Sequence, residues 1–175
     1  IQQALMSVVC QTMPVDEIIV ADDGSTDNSR AIITALANQY PQIKPIFRER
    51  NFGVGTNRDL AIRAASGNLI TTLDGDDFYF PNKIEQEWTR ISNESDYVAC
   101  SDILLVDTEG KQIGSRSTFP FTKLSSQERV HWVVSWLGSI PRDMLISKKL
   151  YLEVGGIRQG QNLYEDWEFY IRLAA

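Results

Sequence analysis

Two apolar runs, each ending in carboxylates, constrain this chain more than any other feature. Ile18-Ile19-Val20-Ala21 runs into Asp22-Asp23-Gly24-Ser25-Thr26-Asp27, and Leu69-Ile70-Thr71-Thr72-Leu73 runs into Asp74-Gly75-Asp76-Asp77. Short, nearly continuous apolar runs rich in β-branched residues read as strands buried on both faces, the kind that build α/β sheets. In an open α/β sheet, ligands sit outside the carboxyl ends of the strands. Two strands ending in acids therefore predict one acidic pocket at one edge of the sheet. Crowded carboxylates raise one another's pKa. A divalent cation removes that cost, so the pattern points to a metal and to a ligand that the metal holds. A third acidic pair, Glu165-Asp166, opens an apolar-periodic segment far downstream.

The spacing between these runs predicts alternating elements. Ala4, Leu5, Val8 and Val9 suit one face of a short helix, ended by Gln11-Thr12-Met13-Pro14; Glu17 to Ala21 is a strand. Asp27 or Thr26 caps a helix with Ile32, Ile33, Leu36 and Ala37 inward, and Ile43 to Phe47 is a second strand. After the Asn51-Phe52-Gly53-Val54-Gly55 loop, Leu60, Ala61, Ala64 and Ala65 mark a helix closed by Gly67, and Leu69 to Leu73 is a third strand. That order reads as parallel βαβ units. From Pro81 on the pattern is mixed. It has a helix with Ile84, Trp88 and Ile91 inward, a strand from Tyr97 to Val106, and a hairpin turn at Thr108-Glu109-Gly110-Lys111 into Gln112-Ile113. Then come a helix from Gln127 to Trp136, a strand from Asp143 to Ile146, a short helix from Ser147 to Val154 and a helix from Asp166 to Leu173.

A chain of 175 residues with 43% hydrophobic and 23% charged residues suits one globular domain. The expectation is a single domain over 1–175, with residues 1–81 and 82–175 as its two halves. The net charge of −6 argues against a nucleic-acid partner, whose binders are usually basic. Cys10 and Cys100 form no CxxC and read as buried thiols in a reducing compartment, with a pairing between them left open. No apolar run reaches membrane-span length and no signal peptide is visible. Both Ile1 and Ala175 lie in helical sequence, so the expectation is a piece of a longer protein cut at both ends, with any membrane contact made by segments outside it.

Each acidic motif also has a plainer reading. Gly24, Ser25, Thr26 and Asp27 are ordinary turn and cap residues, which leaves the two adjacent aspartates, Asp22 and Asp23, to account for. Asp74, Asp76 and Asp77 suit a helix N-terminus, yet three carboxylates in four residues after a buried strand fit Mg²⁺ or Mn²⁺ better, held by one or two carboxylates plus phosphate oxygens. Glu165-Asp166 is an acidic helix start or a general base. Arg58 faces a phosphate or pairs with a surface acid. His131 has no partner at metal-ligand spacing and reads as structural, and Trp132 and Trp136 read as core packing before sugar stacking.

Three stretches in this order resemble the family-2 glycosyltransferases of the GT-A fold. They are ALMSVVCQTMPVDEIIVADDGSTD (4–27), NFGVGTNRDLAIRAASGNLITTLDGDDFYFP (51–81) and GGIRQGQNLYEDWEFYIRL (155–173). The resemblance implies an α/β, Rossmann-like nucleotide-diphospho-sugar transferase fold, with a mostly parallel central sheet and helices on both faces. It implies that Asp23 contacts the donor's nucleoside, with Asp22 supporting the turn. Asp74 would sit near the ribose or the metal, Asp76 would be the main ligand of Mg²⁺ or Mn²⁺, and Arg58 would help hold the donor. Asp166 would take the acceptor's proton, with Glu165 beside it. Asp59 stands where the family often has asparagine, and the family's first strand would precede Ile1.

The implied activity is metal-dependent, inverting transfer of a sugar from a nucleoside-diphosphate sugar, a UDP-sugar first among them, to a hydroxyl of a carbohydrate or lipid-linked acceptor. Its setting would be polysaccharide, cell-envelope or glycolipid synthesis, in the cytoplasm or at the inner face of the cytoplasmic membrane. The alternatives are a non-catalytic nucleotide-sugar-binding module of a larger protein and a sugar-nucleotide pyrophosphorylase. The latter's Arg- and Lys-containing Gly-rich loop is not seen here.

Overall fold

The computed structural model describes residues 1–91, 98–118, 123–135, 141–160 and 164–175. The first half builds the expected βαβ unit. Helix α1 (Gln2–Val9) leads to strand β1 (Ile18–Asp22), helix α2 (Ser29–Gln39) and strand β2 (Ile43–Phe47). β1 and β2 pair in parallel, Ile18 opposite Ile43 and Asp22 opposite Phe47. A parallel pair needs a crossover, and α2 supplies it. Leu5, Ile18, Val20, Ile33, Leu36 and Ile43 form one buried core beneath it. Asn28 stands at the cap position of α2, one residue past the expected cap, and Asp27 Oδ1 accepts from the Ser29 amide at 3.0 Å.

Helix α3 (Val54–Ala64) turns a different face inward from the one expected. Its buried residues are Gly55, Asp59 and Ile62, while Ala64 is exposed. The spacing is still helical; what the apolar pattern misses is that a carboxylate occupies the core position. Asp59, fully buried, accepts from the Tyr151 hydroxyl at 2.8 Å and from Arg63 Nε at 2.8 Å.

The third strand is shorter than expected. β3 (Leu69–Ile70) pairs antiparallel with β6 (Ile146–Ser147), and Ala99 bridges Leu145 in the same sense. Among the described residues the ladders are therefore one parallel pair and two antiparallel pairs, the second being the β4 (Ile103–Val106) and β5 (Gln112–Arg116) hairpin. Its turn is the expected one: Gly110 lies at φ +80°, and Asp107 Oδ1 accepts from the Glu109 and Lys111 amides. An open cleft separates β1 from the Leu69–Gly75 stretch, lined by Ile18, Val20, Val54, Arg58, Ile70 and Asp74 among others.

Helix α4 (Lys83–Ile91) buries Ile84 and Ile91 as expected, but with Glu87 instead of Trp88, which is 41% exposed. Glu87 is tolerated inside because Lys83 Nζ lies 2.9 Å from one of its oxygens and the Ser101 hydroxyl donates to the other at 2.7 Å. Helix α5 (Ser126–Val134) starts on a capping box between Ser125 and Glu128 and packs on the last helix. His131 is exposed on α5, and Trp136, like Tyr97, lies outside the described residues. Helices α6 (Lys148–Glu153) and α7 (Glu165–Ala174) close a second core of Ile62, Ile70, Ile146, Tyr151, Ile157 and Phe169. Cys10 is exposed and Cys100 half-buried, both as free thiols, which corrects the reading of two buried ones.

Candidate functional site

The first acidic motif is a structural corner. Asp22 ends β1, is buried, and accepts from the Ser25 amide at 3.2 Å and from Arg30 Nε at 2.6 Å. Burial works against its ionisation, but the bonds from Ser25 and Arg30 outweigh it and hold the carboxyl below the ordinary range. Arg30 also donates to the Arg48 carbonyl, so Asp22 ties the end of β1 to the end of β2.

Asp23 joins this turn to the second motif. Its carboxylate accepts from the Phe52 amide at 3.0 Å and from the Gly53 amide at 2.8 Å. The two segments touch so closely that a Cβ on Gly24 would lie 2.8 Å from the Arg50 carbonyl carbon, and Gly24 sits at φ +87°. Glycine is required there on both counts. Around Asp23, Arg48 lies over the Phe52 ring at 3.9 Å and Arg50 at 4.8 Å. Asn57, one turn into α3, donates to the carbonyl of Ala21 at 2.6 Å. The Asp22–Asp23 turn and the start of α3 thus form one unit, with Arg58 next on the helix.

Arg58 reaches the third motif. It donates to Asp74 Oδ1 at 2.5 Å, and Arg142 donates to Asp74 Oδ2 at 2.7 Å, so both oxygens of Asp74 face guanidinium groups. Asp76 and Asp77 are exposed on the same loop. Partial burial raises the Asp77 carboxyl, and the charge of Asp76 raises it further. Among the described residues no three His, Cys, Asp or Glu side chains gather around one point as a metal cage. The donor set here is instead one of exposed hard oxygens beside a cleft. It suits a Mg²⁺ or Mn²⁺ ion that takes one or two carboxylates and completes its shell with water and phosphate.

Glu165 and Asp166 occupy the first turn of α7, where the helix dipole favours acids. Glu165 is buried and packs on α3: a Cβ on Gly55 would lie 2.6 Å from Glu165 Cγ. Asp166 is half-exposed, accepts from the Trp167 amide at 2.8 Å, and lines a pocket together with Arg58, Thr72, Arg142, Asp143 and Tyr170. The fold therefore brings Arg58, Asp74 and Asp166 to one place from three segments. Asp22 and Asp23 lie one helical turn of α3 away. Arg58 lines both this pocket and the cleft beside β1.

Sequence reading missed Arg142 and Asp143. Asp143 is not in a strand; it sits in the left-handed region at φ +49°. Its Oδ1 accepts from Thr72 Oγ1 at 3.1 Å, and its carbonyl accepts from Thr71 Oγ1 at 2.8 Å and Lys83 Nζ at 2.6 Å. Burial and the nearby charge of Asp74 raise its carboxyl to about 6. No motif marks these two residues; an Arg-Asp dipeptide after Pro141 is a weak signal in any sequence.

Residues 1–155 match the family described as Glycosyl transferase family 2. An uncharacterised glycosyltransferase of Nostoc sp. is 40% identical over 67% of this chain and 37% of its own length. A cholesterol galactosyltransferase of Borreliella burgdorferi is 29% identical over 97% of this chain and 50% of its own length. The chain therefore spans half or less of these curated relatives. Among solved structures, Staphylococcus aureus TarS (1–349) in complex with UDP superposes with a TM-score of 0.75 at 20% identity, over 99% of this chain and 51% of that one. The family match and this shared fold agree with the βαβ unit and its acidic strand ends: the chain belongs to glycosyl transferase family 2 and has the α/β GT-A fold.

Proposed function

We propose that this chain carries the donor site and the reacting pocket of a transferase. The enzyme moves a sugar from a nucleoside-diphosphate sugar, a UDP-sugar first, to an acceptor hydroxyl with inversion at the anomeric carbon. The observation that carries the reading is that Arg58 and Asp166, from separate segments, line one pocket past the end of β3, with Asp74 bonded to Arg58. In this reading the Asp23–Phe52–Gly53 corner shapes the nucleoside end of the cleft, with Asp22 holding the corner in place. Arg58 and Asp74 lie between the corner and Asp166, where the diphosphate and ribose would pass. Asp76, exposed on its loop, would hold Mg²⁺ or Mn²⁺ together with donor phosphate oxygens, with Asp74 next to it. When bound, the metal supplies Lewis-acid stabilisation of the charge that grows on the leaving diphosphate.

The acceptor hydroxyl must lose its proton as it attacks, and the group that takes it must stand across the sugar from the leaving group. Asp166 has that role: it lies on a different segment from Asp76 and faces the pocket. Glu165, buried against Gly55, fixes where α7 begins and so where Asp166 points. The acceptor is a carbohydrate or lipid-linked hydroxyl, in polysaccharide, cell-envelope or glycolipid synthesis. The compartment is the cytoplasm or the inner face of its membrane. Among the described residues no helix is long and apolar enough to cross a membrane.

The test is calorimetric titration with UDP, GDP and dTDP, with and without Mn²⁺, on the parent chain and on Asp76→Asn. The reading expects one nucleotide to bind in a Mn²⁺-dependent way and Asp76→Asn to abolish that dependence. Unchanged metal-dependent binding in the variant removes Asp76 as the ligand.

A further inference from the structure

The loop that carries Asp74, Asp76 and Asp77 is closed at its neck by one buried side chain. The chain enters the loop at Thr72 and leaves it at Tyr79, with residues 73–78 between them. Tyr79 is buried; its hydroxyl donates to the Thr72 carbonyl and lies 3.0 Å from Thr71 Oγ1. Its amide donates to Ser7 Oγ of α1 at 3.0 Å. Lys83 Nζ sits over the Tyr79 ring at 4.2 Å and donates to Thr71 Oγ1 at 2.8 Å. One residue thus ties the two ends of the loop together and ties its exit to α1.

A phenylalanine ring would fill the same space with no polar atom. Burying a hydroxyl costs free energy unless it is hydrogen-bonded. Here the bond to Thr72 offsets that cost, and what the bond does is close the loop. Burial also pushes the ionisation of Tyr79 well above the ordinary range, so the hydroxyl stays a donor. Joining the ends of a loop removes conformations that the residues inside it could otherwise visit. Within the loop, the Asp77 amide donates to the Asp74 carbonyl at 3.1 Å, and Arg58 and Arg142 hold the Asp74 carboxylate. Asp76 lies between Asp74 and Asp77 and is exposed, so the backbone on either side sets where its carboxylate stands. Small and large cations feel such rigidity differently. Mg²⁺ demands near-ideal octahedral geometry, whereas Ca²⁺ accepts a flexible shell. Loosening the neck therefore costs Mg²⁺ more than Ca²⁺.

From these contacts we infer that Tyr79 is a positioning residue: its hydroxyl fixes the neck of the acidic loop so that Asp74 and Asp76 present their oxygens at the spacing a small divalent cation requires. Tyr79 has this role only on the reading of the loop as the metal-binding one.

The experiment is Mn²⁺ titration of the chain in the presence of UDP, with free Mn²⁺ counted by EPR against a UDP-only control, followed by displacement with Mg²⁺ and with Ca²⁺. The variants are Tyr79→Phe, which keeps the buried ring, and Ser7→Ala, which releases the loop's exit from α1; melting curves identify folded samples. Removing a group that orients metal ligands typically costs about 10–100-fold in affinity. Folded Tyr79→Phe should hold Mn²⁺ at least about 10-fold more weakly than the parent. Its preference for Mg²⁺ over Ca²⁺ should fall, with UDP affinity in the absence of metal unchanged. Ser7→Ala should move the same way by less, and it decides the matter by the same readouts if Tyr79→Phe does not fold. A brace that serves stability alone would lower the melting temperature and leave both Mn²⁺ affinity and the Mg²⁺-to-Ca²⁺ preference of the folded variants at the parent's values; that result overturns the inference while the metal reading stands. A parent that binds no Mn²⁺ overturns the metal reading, and the role of Tyr79 with it.

Discussion

Replacing Asp59 with alanine tests how α3, and with it Arg58, is held. Asp59 is wholly buried, and its firmest partner is the Tyr151 hydroxyl at 2.8 Å, itself buried and accepting from the Ile157 amide at 2.9 Å. A hydrogen bond to a charged group contributes about 1.5–3 kcal/mol, and stranding the buried partner is part of the loss. The Arg63 pair adds under about 1 kcal/mol, because that guanidinium is 47% exposed and screened by water. Gln159 at 3.3 Å adds little. Removing a buried carboxylate also recovers some desolvation energy, so the net loss is about 3 kcal/mol. For a chain of this size that lowers Tm by roughly 6–12 °C. Asp59→Asn keeps an acceptor for Tyr151 and should cost about 1 kcal/mol. Urea denaturation of both variants, with Tyr151→Phe to complete a double-mutant cycle, gives the coupling directly. An Asp59→Ala loss within about 0.5 kcal/mol, or no coupling to Tyr151, would refute the argument.

Three further outcomes follow from the packing. Gly55→Ala should cost about 1–3 kcal/mol by overpacking, since its Cβ would meet Glu165 Cγ at 2.6 Å. It should also lower turnover beyond the loss of folded protein by shifting Asp166, and turnover per folded molecule, read with a parallel melt, checks this. Asp143 has a carboxyl raised from 3.8 to about 6 by burial and by Asp74, against opposing Lys83 and Arg142. Its favourable contribution is complete below 3.8 and is lost as pH rises through about 6. Asp143→Asn should therefore be more stable than the parent at pH 7, by about 3 kcal/mol at most, and level with it near pH 4. A difference independent of pH, measured by urea midpoints, contradicts this.

Much of this fold was legible because local pattern and tertiary role agree. β1 is an apolar run that pairs in parallel with β2, α2 shows the period of a helix lying on the pair, and the Asp107–Lys111 turn has the chemistry of a hairpin. The failures share one cause. Charge predicts exposure, yet Asp59 and Glu87 are each buried against a partner far along the chain or one turn away: Tyr151 for Asp59, Lys83 and Ser101 for Glu87. Leu60 and Trp88 lost the inward positions to them. β3 is shorter than its apolar run, and its partner β6 lies 76 residues on, beyond any local signal. In the candidate site, Asp22, Asp23, Arg58, Asp74, Asp76, Glu165 and Asp166 drew attention through their motifs. Arg142 and Asp143 did not, because their significance comes from Asp74 and Thr72, some seventy residues earlier.

The most direct test of the central claim is UDP release from UDP-glucose, UDP-galactose and UDP-N-acetylglucosamine with Mn²⁺, water or an added sugar serving as acceptor, by the parent chain and Asp166→Asn. The account predicts Mn²⁺-dependent release with one donor. It predicts that Asp166→Asn lowers this by roughly 10²-fold or more while UDP affinity stays unchanged, the loss expected for a missing general base. UDP binding without release by the parent, or equal release by both, would contradict it and leave a nucleotide-sugar-binding module in place of an enzyme.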